Sequence, residues 1–387
     1  MESRKSSGWA VALVRSRVQL DSALVVLAML AVAACDSNPL QQISAPTLSQ
    51  SAATENGLTV MEYNVYYGAD YSPLLTASLQ DVPFVAAQTW AAAMATDFPG
   101  RAGQIAAEIA AARPDLVGLQ EAAIYRFQHP GDAIVGGTIP ATDVVVDFVE
   151  LIRDSLAARG IHYTVVAADS TTDIELPIFA GFDGGGSPTF DDVRLTDRDA
   201  LLARADVEVA NPAHAVYGAY IPLDLGPGVH EGWSGVDVTA GGRTYRVIST
   251  HLEYQEALPV QLLQAQELLA TLSTETRPTI LLGDFNSDAY GADPTRATPT
   301  LGMMLDAGFT DAWADPGRQA PGLTCCQASD LLNPFGAFDE RGDFVFSRNL
   351  PAGVHIVSRN IMGDRPGDRL PSGLWPSDHA AIVVTFR

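Results

Sequence analysis

The chain places acidic, amide and imidazole side chains at the ends of short apolar segments. Glu121 ends the segment Leu116–Glu121, and Asp284 and Asn286 end the segment Ile280–Asn286. A carboxylate held rigidly beside a low-dielectric core is costly unless it is paired or binds a metal. Five further residues take similar positions: Asn64, His251, Asp343, Asp378 and His379. If these ends converge, they form an oxygen-rich cluster with two imidazoles.

This set of side chains favours a hard cation. Oxygen ligands select Mg²⁺, Mn²⁺ or Ca²⁺, whereas the HxxxH and CxxC spacings of zinc sites are absent from the sequence. Such a cation polarises a phosphoryl oxygen while a base takes a proton from the attacking water. His379 is the predicted base, because imidazole titrates near neutral pH and a buried Asp can hold its tautomer. The pattern therefore predicts metal-assisted phosphoester hydrolysis.

Strand and helix signals alternate between these residues. Apolar or alternating segments rich in β-formers predict strands, and apolar residues at helical spacing predict helices. Hairpin signals are frequent and helices occur singly, which indicates two mainly antiparallel sheets packed face to face with helices outside, in one α+β domain over 57–387. The strands are predicted at 58–65, 115–121, 163–168, 200–209, 216–221, 235–238, 244–250, 278–284, 343–347, 355–358 and 380–387, and the helices at 101–113, 142–159, 259–272 and 298–307.

Six short motifs surround the polar residues, and as an ordered set they resemble the endonuclease/exonuclease/phosphatase (DNase I-like) superfamily. Each motif alone is a short polar turn that also occurs by chance, but together they span Leu58 to Arg387. The resemblance implies a four-layer α/β/β/α sandwich and phosphoester cleavage by in-line attack. The motifs are MEYNV at Asn64, GLQE at Glu121, STHLE at His251, GDFN at 283–286, RGDFVF at Asp343 and PSDHA at His379.

The resemblance also implies a role for each residue. Glu121 corresponds to the principal metal ligand, assisted by Asn64 and Asp378, with Mg²⁺ as the expected cation and Mn²⁺ or Ca²⁺ as alternatives. His379 corresponds to the general base and Asp343 to its partner. Asp284 and Asn286 correspond to the pair that orients the water or protonates the leaving oxygen and holds the phosphate. His251 corresponds to a donor to the phosphoryl oxygens.

Two departures and several simpler interpretations bear on these roles. Gly342 stands where the family usually has an apolar β-former, which leaves the partnering of His379 open. An insertion at 66–98 and a Gly-rich loop at 181–190 fall where substrate choice is often made, so the substrate class is not inherited. Taken singly, Asn64 could tie two strands together, Glu121 could be a surface carboxylate and His251 a core histidine.

The first 35 residues predict export. Basic residues precede an apolar run of only 12 residues, Ala23–Ala34, too short to span a bilayer but suited to a signal peptide. Small residues followed by Cys35 resemble a bacterial lipoprotein box, which predicts lipidation of Cys35 and a lipoprotein of the bacterial cell envelope. An ordinary secretory signal with an incidental Cys is the alternative. Residues 36–56 are rich in Ser, Thr, Gln and Pro and predict a flexible tether.

The charge of the chain disfavours nucleic acid as a partner. Net charge is −23, and without residues 1–35 the chain keeps 19 basic and 44 acidic side chains, or −25. Phosphate-backbone affinity is supplied mainly by Lys and Arg, and the only lysine is Lys5. A local cluster of Arg194, Arg198 and Arg204 could contact phosphate, although such arginines more often pair with acids. The oligomeric state is not predicted.

Cysteine usage predicts no disulfide framework. Besides Cys35, the chain has only Cys325 and Cys326, which are adjacent and could close only a strained ring. Two buried thiols are therefore the expectation.

Three functions are compatible with the sequence. The first is an exported, lipid-anchored hydrolase of small-molecule or lipid phosphoesters. The second is a secreted endonuclease acting on DNA, which the acidic charge disfavours. The third is a non-catalytic surface binding module on the same fold, which the intact set of polar residues disfavours.

Overall fold

The computed structural model describes residues 57–223, 226–289, 295–314 and 321–387. The predicted signal segment 1–35 with Cys35 and the predicted tether 36–56 lie outside the described residues. In the described part of the chain, no helix is both long enough and apolar enough to cross a membrane.

The described elements comprise six helices and sixteen strands. The helices are α1 Ser72–Thr76, α2 Val82–Ala95, α3 Phe98–Ala112, α4 Phe148–Ala157, α5 Leu258–Thr271 and α6 Thr300–Asp306. The strands are β1 Leu58–Asn64, β2 Leu116–Gln120, β3 Ile124–Gln128, β4 Asp143–Asp147, β5 Tyr163–Ala168, β6 Asp173–Phe182, β7 Pro188–Thr196, β8 Ala200–Arg204, β9 Val209–Val216, β10 Gly232–Ala240, β11 Arg243–His251, β12 Thr279–Asp284, β13 Thr310–Asp311, β14 Asp343–Arg348, β15 Ile356–Met362 and β16 Ala381–Phe386.

Two six-stranded sheets form the centre of the fold. Their strand orders are β15-β16-β1-β2-β8-β5 and β13-β14-β12-β11-β10-β9. Each sheet contains a single parallel pair, β1–β2 in the first and β11–β12 in the second, and the other pairs are antiparallel. A parallel pair needs a crossover connection, and α3 and α5 lie in these two connections.

The core is divided into three layers by these sheets. Between the sheets, Val60 and Leu116 of the first pack with Val247 and Ile280 of the second. On the outer face of the first sheet, α3 and α4 bury residues such as Ile105, and on the outer face of the second sheet α5 and α6 do the same. The predicted four-layer α/β/β/α sandwich of two mainly antiparallel sheets is therefore confirmed.

A third, four-stranded sheet, β4-β3-β7-β6, was not expected from the sequence. Its longest pair is the hairpin β6–β7, and the segment 181–188, predicted as a flexible loop, forms the turn and the ends of that hairpin. Along β6, the apolar residues Ile174, Leu176 and Ile178 alternate with Asp173, Glu175 and Pro177. The sheet contacts α2, and its cross-strand pairs include ions such as Asp173 with Arg194.

Three predicted elements were wrong in their limits. The helix predicted over 142–159 is divided into β4 and α4, because the β-branched run Val144–Val146 favours a strand and the Asp147 carboxylate caps the helix by accepting from the Glu150 N–H at 3.2 Å. The strand predicted over 200–209 ends at Arg204. Of the strand predicted over 216–221, only Val216 lies in a strand, as the last residue of β9, and Ile221 makes an isolated bridge with Val229.

Candidate active site

The parallel pair of the first sheet delivers Asn64 and Glu121 to one edge. Asn64 is the last residue of β1 and is in register with Gln120, the last residue of β2. Glu121 follows immediately. Because parallel strands run in the same direction, their carboxyl ends meet at the same edge of the sheet. The β-α-β connection through α3 therefore fixes both side chains at this edge.

The second sheet delivers three more residues by register. His251 at the end of β11 is in register with Asp284 at the end of β12. Asp284 is in turn in register with Asp343, the first residue of the antiparallel strand β14. An antiparallel strand begins where its neighbour ends. The start of β14 therefore places Asp343 at this edge. In the same way, β16 begins beside the end of β1, so the segment just before β16 brings Asp378 and His379 to the edge.

The Asn64 side chain connects the two sheets. Its amide nitrogen donates to Oε1 of Glu121 at 3.0 Å and to Oδ2 of Asp284 at 3.2 Å. Its amide oxygen accepts from the Tyr66 N–H at 3.0 Å, and the Tyr67 N–H donates to Oε2 of Glu121 at 2.8 Å. Asn64 therefore does tie strands together, and it does so at the polar cluster, with its nitrogen directed at the two carboxylates.

His379 lies in a buried pair with Asp343. Its Nδ1 is 2.9 Å from Oδ2 of Asp343, whose side chain is fully buried. Its Nε2 is 3.8 Å from Oδ2 of Asp284 and 3.9 Å from Oδ1 of Asp378. The glycine at position 342 does not loosen this pairing, because its carbonyl accepts from the Phe285 N–H at 2.9 Å and keeps the start of β14 in place.

Asn286 and His251 form the third part of the cluster. The Asn286 amide nitrogen donates to the Leu252 carbonyl at 2.9 Å and lies 3.4 Å from Nε2 of His251. The same His251 nitrogen is 3.7 Å from Oδ2 of Asp284. All eight residues singled out in the sequence are thus joined by direct contacts or near contacts; their chemical roles stay predictions.

The pKa values in this cluster indicate that an additional positive charge would be favourable. Desolvation and the Asp378 carboxylate raise the pKa of Glu121 to about 8, and desolvation raises the pKa of Asp378 to about 6 despite the attraction of His379. Burial alone would lower the pKa of His379, but the Asp343, Asp378 and Asp284 carboxylates raise it well above its usual value. Like charges crowded in a low dielectric explain these shifts.

The cluster fits a divalent cation. Oδ1 of Asp378 is buried, has no hydrogen-bond partner among the described residues and lies 3.9 Å from Nε2 of His379. Glu121 and Asp378 are only partly buried as residues. A cation between them would interact with the Asp378 oxygen and oppose the rise in the His379 pKa. Ligand atoms of Asp284, Asp343 and His379 also lie within 4.8 Å of one another, but Nδ1 of His379 is already occupied by Asp343.

Two of the site residues have left-handed backbones. Glu121 has φ +55° and Asn286 has φ +47°. Residues other than glycine rarely adopt this conformation, and when they do at a polar cluster the strain commonly serves function. The turn after each parallel strand therefore directs its polar side chain into the site, and no sequence pattern reveals this.

Several residues that support the site were not predicted from the sequence. Arg101 is fully buried and donates to the carbonyls of Val65 at 2.8 Å, Tyr66 at 3.0 Å and Pro376 at 3.1 Å, and burial lowers its pKa to about 10. It therefore joins the segment after Asn64 to the segment before Asp378. An arginine on the buried face of a predicted helix was the available signal.

Two buried acids lie behind the histidines. Glu62 is on β1, two residues before Asn64, and burial and the Asp343 carboxylate raise its pKa well above the usual value. Oε2 of Glu231 lies 3.4 Å from Nδ1 of His251. The signal for Glu62 was a carboxylate inside an otherwise apolar strand, whereas Glu231 lies in a segment without any such pattern.

The expectation of two buried thiols was wrong. Cys325 and Cys326 are joined by a disulfide, and their Cα atoms are 3.0 Å apart across the peptide bond that links them. The Cys326 sulfur lies 3.8 Å from Nε2 of His379.

The arginines that could have contacted phosphate are paired with acids. Arg194 donates to Asp173, Arg198 to Asp147 at 2.6 Å, and Arg204 to Asp115 at 2.8 Å. These three side chains therefore do not form a free phosphate-binding cluster.

Comparisons with known proteins agree with this geometry. The family model described as Endonuclease/Exonuclease/phosphatase family matches residues 61–379. No curated protein sequence matches the chain.

The chain is also similar to solved structures at low sequence identity. A family protein from Bacteroides thetaiotaomicron has a TM-score of 0.50 and 15% identity over 86% of this chain and 97% of its own. One from Leptotrichia buccalis has a TM-score of 0.49 and 12% identity over 85% and 99%. A mannosyl-6-phosphatase from Bacteroides thetaiotaomicron has a TM-score of 0.47 and 16% identity over 85% and 99%.

The chain belongs to the endonuclease/exonuclease/phosphatase family. It is a hydrolase of phosphoester bonds, and dependence on a divalent metal is typical of that family.

Replacing Arg101 tests how much the site depends on its hydrogen bonds. Arg101→Lys keeps the charge, but an ammonium on a single atom cannot reach all of the carbonyls. At about 1–3 kcal/mol for each buried group left unpaired, we expect a loss of about 2–5 kcal/mol in the free energy of unfolding. Urea unfolding at neutral pH measures it, with Arg365→Lys as the control because that side chain is 78% exposed. Equal stability of the two variants would contradict the assignment.

Proposed function

We propose that the chain hydrolyses a small-molecule or lipid phosphoester with Mg²⁺ outside the cytoplasm, where lipid on Cys35 anchors it to the cell envelope. One observation carries the catalytic part of this proposal. A continuous set of contacts runs from Glu121 through Asn64 and Asp284 to the pair of His379 and Asp343. It joins a cation site to a base within a few ångströms.

Glu121 and Asp378 would hold the cation, with Asn64 beside them. The partial exposure of both residues and the Asp378 Oδ1 atom, which has no hydrogen-bond partner among the described residues, support this role. The oxygen-only donor set favours Mg²⁺, with Mn²⁺ or Ca²⁺ as alternatives. When bound, the ion supplies polarisation of a phosphoryl oxygen. Asn64 fixes the orientation of the Glu121 carboxylate through its amide nitrogen, and its oxygen keeps one lone pair beyond the bond from Tyr66.

His379 acts as the base through Nε2. The 2.9 Å contact between Nδ1 and Asp343 supports a tautomer with the proton on Nδ1, which leaves a lone pair on Nε2. Nε2 then takes the proton from the attacking water, and Asp343 stabilises the imidazolium that results. The hydrogen positions follow from the partner of each nitrogen.

Asp284, Asn286 and His251 surround the reacting phosphate. Asp284 lies between both imidazoles, at 3.8 Å from Nε2 of His379 and 3.7 Å from Nε2 of His251. This position suits it to orient the water or to protonate the leaving oxygen. Asn286 and His251 lie 3.4 Å apart and would donate to the phosphoryl oxygens.

Small or lipid phosphoesters fit the charge of the chain better than DNA does. The chain without residues 1–35 carries −25, and the arginines considered as phosphate ligands are paired with acids. A long polyanion is repelled by such a surface, whereas a single phosphate is bound mainly by its local partners.

The catalytic assignment predicts loss of activity on chelation and on removal of either key residue. We expect Glu121→Ala and His379→Ala each to lower kcat/KM for bis-p-nitrophenyl phosphate at least about 100-fold, since metal polarisation and general-base catalysis each contribute that much or more. Activity with Mg²⁺ should disappear with a chelator and return with added Mg²⁺. The exposed Glu256→Gln is the matched control.

Full activity in either alanine variant would refute the site assignment. A parallel gel assay on plasmid DNA separates the substrate classes: efficient DNA cleavage would replace the proposed substrate by the endonuclease alternative. Calorimetry that detects no Mg²⁺ or Ca²⁺ binding would favour a non-catalytic binding module.

The export proposal has a separate test. Expressed with its first 35 residues in a bacterium fed a labelled fatty acid, the chain should incorporate label and fractionate with membranes, and Cys35→Ser should abolish both. Secretion of the unlabelled wild-type chain into the medium or periplasm would indicate an ordinary signal peptide instead.

A further inference from the structure

A cavity of about 410 Å³ lies next to the active site. One wall is the face of α2 that carries Val82, Ala86 and Trp90. The opposite wall is the hairpin β6–β7, where Ile174, Leu176 and Ile178 alternate along one strand and therefore point to the same face. Both walls come from the inserted segment and the third sheet, outside the two central sheets.

The cavity and the catalytic cluster share Tyr67. Tyr67 lines the cavity, and its backbone N–H donates to Oε2 of Glu121 at 2.8 Å. Tyr125, four residues beyond Glu121, lines the same end, and its hydroxyl donates to the Tyr67 carbonyl at 2.9 Å. A phosphate held at Glu121 thus has this cavity as its neighbour.

Several polar groups that line the cavity already have hydrogen-bond partners. The Tyr71 hydroxyl bonds to the Tyr125 hydroxyl, the Thr172 hydroxyl donates to the His230 carbonyl at 2.9 Å, and Asp197 accepts from the Thr171 hydroxyl at 2.7 Å. A sugar or a nucleobase would need several free partners and would leave its own polar groups unpaired, at about 1–3 kcal/mol each. The lining therefore favours a hydrocarbon group as the ligand.

The rim of the cavity is apolar as well as its interior. Leu79 lines the cavity and is 61% exposed, and Leu75 beside it is 37% exposed. Large apolar side chains grouped at an opening mark a binding site more often than an ordinary surface. They offer a chain entering from solvent or from a membrane surface an apolar path into the cavity.

We propose that this cavity binds one hydrocarbon chain of an amphiphilic phosphoester whose phosphate lies at Glu121 and His379. The inference rests on the proposed function for the position of the phosphate, and it narrows the substrate class to phosphoesters with a long apolar group. Burial of each methylene contributes about 0.8 kcal/mol to binding, so affinity should rise with chain length until the cavity is filled.

Binding of alkylphosphonates by the mature chain with Mg²⁺ tests this directly. These probes carry a phosphate-like head and a C–P bond, so no turnover is needed to read their affinity by calorimetry. Decylphosphonate, used below its micellar concentration, should bind at least about tenfold more tightly than ethylphosphonate, since tenfold requires the contribution of only about two methylenes.

Two variants of α2 give a matched comparison. Ala86→Phe fills the cavity and should remove the dependence on chain length while leaving ethylphosphonate affinity unchanged. Ala91→Phe places the same ring on an exposed position of the same helix that does not line the cavity, and it should behave as the wild type. Leu79→Ser, at the exposed rim, should weaken decylphosphonate binding severalfold and gives a second test if Ala86→Phe does not fold.

Equal affinity of the wild type for the two phosphonates, or an unchanged preference for the long chain in the folded Ala86→Phe or Leu79→Ser variant, would overturn the inference. Failure of the proposed function would give a different set of results. A chain that binds decylphosphonate through the cavity but hydrolyses no phosphoester keeps the inference and loses the catalytic proposal. A chain that hydrolyses bis-p-nitrophenyl phosphate but shows no preference for alkyl length keeps the catalytic proposal and loses the inference.

Discussion

Carboxylates crowd one edge of the two central sheets, and the protein supplies little positive charge to balance them. Asp284 and Asp343 are almost completely buried, and Glu121 and Asp378 are partly buried. Desolvation raises the pKa values of Glu121 and Asp378, and neighbouring carboxylates add to the rise. A cation bound among these carboxylates would stabilise their charged forms, so the need for positive charge links the fold to the proposed function.

The fold meets this constraint with rigid elements. Each parallel pair ends at the same edge, and the antiparallel neighbours β14 and β16 begin there, so polar residues from both sheets converge without a long loop. Asn64 bridges the sheets, and Arg101 holds the backbone on either side of it. A site built on strands within a packed core keeps its geometry more closely than one built on loops.

The central sandwich and the eight site residues could be predicted from the sequence because they follow strong local patterns. Apolar residues predicted strands at 58–65 and 278–284, which are observed as Leu58–Asn64 and Thr279–Asp284. Polar residues at the ends of these strands predicted the position of the candidate site. The third sheet was not predicted. Ile174, Leu176 and Ile178 alternate along β6, but Pro177 interrupts this segment and the Gly-rich residues 181–188 were interpreted as a loop.

Other features depend on tertiary contacts that no local pattern encodes. The left-handed turns at Glu121 and Asn286, the role of Arg101 and the Cys325–Cys326 disulfide beside His379 all require the assembled structure. The apolar cavity is also of this kind, since its walls come from α2 and β6–β7, far apart in the sequence. The candidate site residues thus lie on the two central sheets, whereas the walls of the cavity lie outside them.

The most direct test of the central claim is anomalous diffraction from crystals of the mature chain soaked in Mn²⁺. We expect a single strong peak within coordination distance of the Glu121 and Asp378 carboxylates, with Nδ1 of His379 still bonded to Asp343. Absence of a peak there, or a peak only at another acidic group such as Asp132, Glu175 and Asp192, would contradict it.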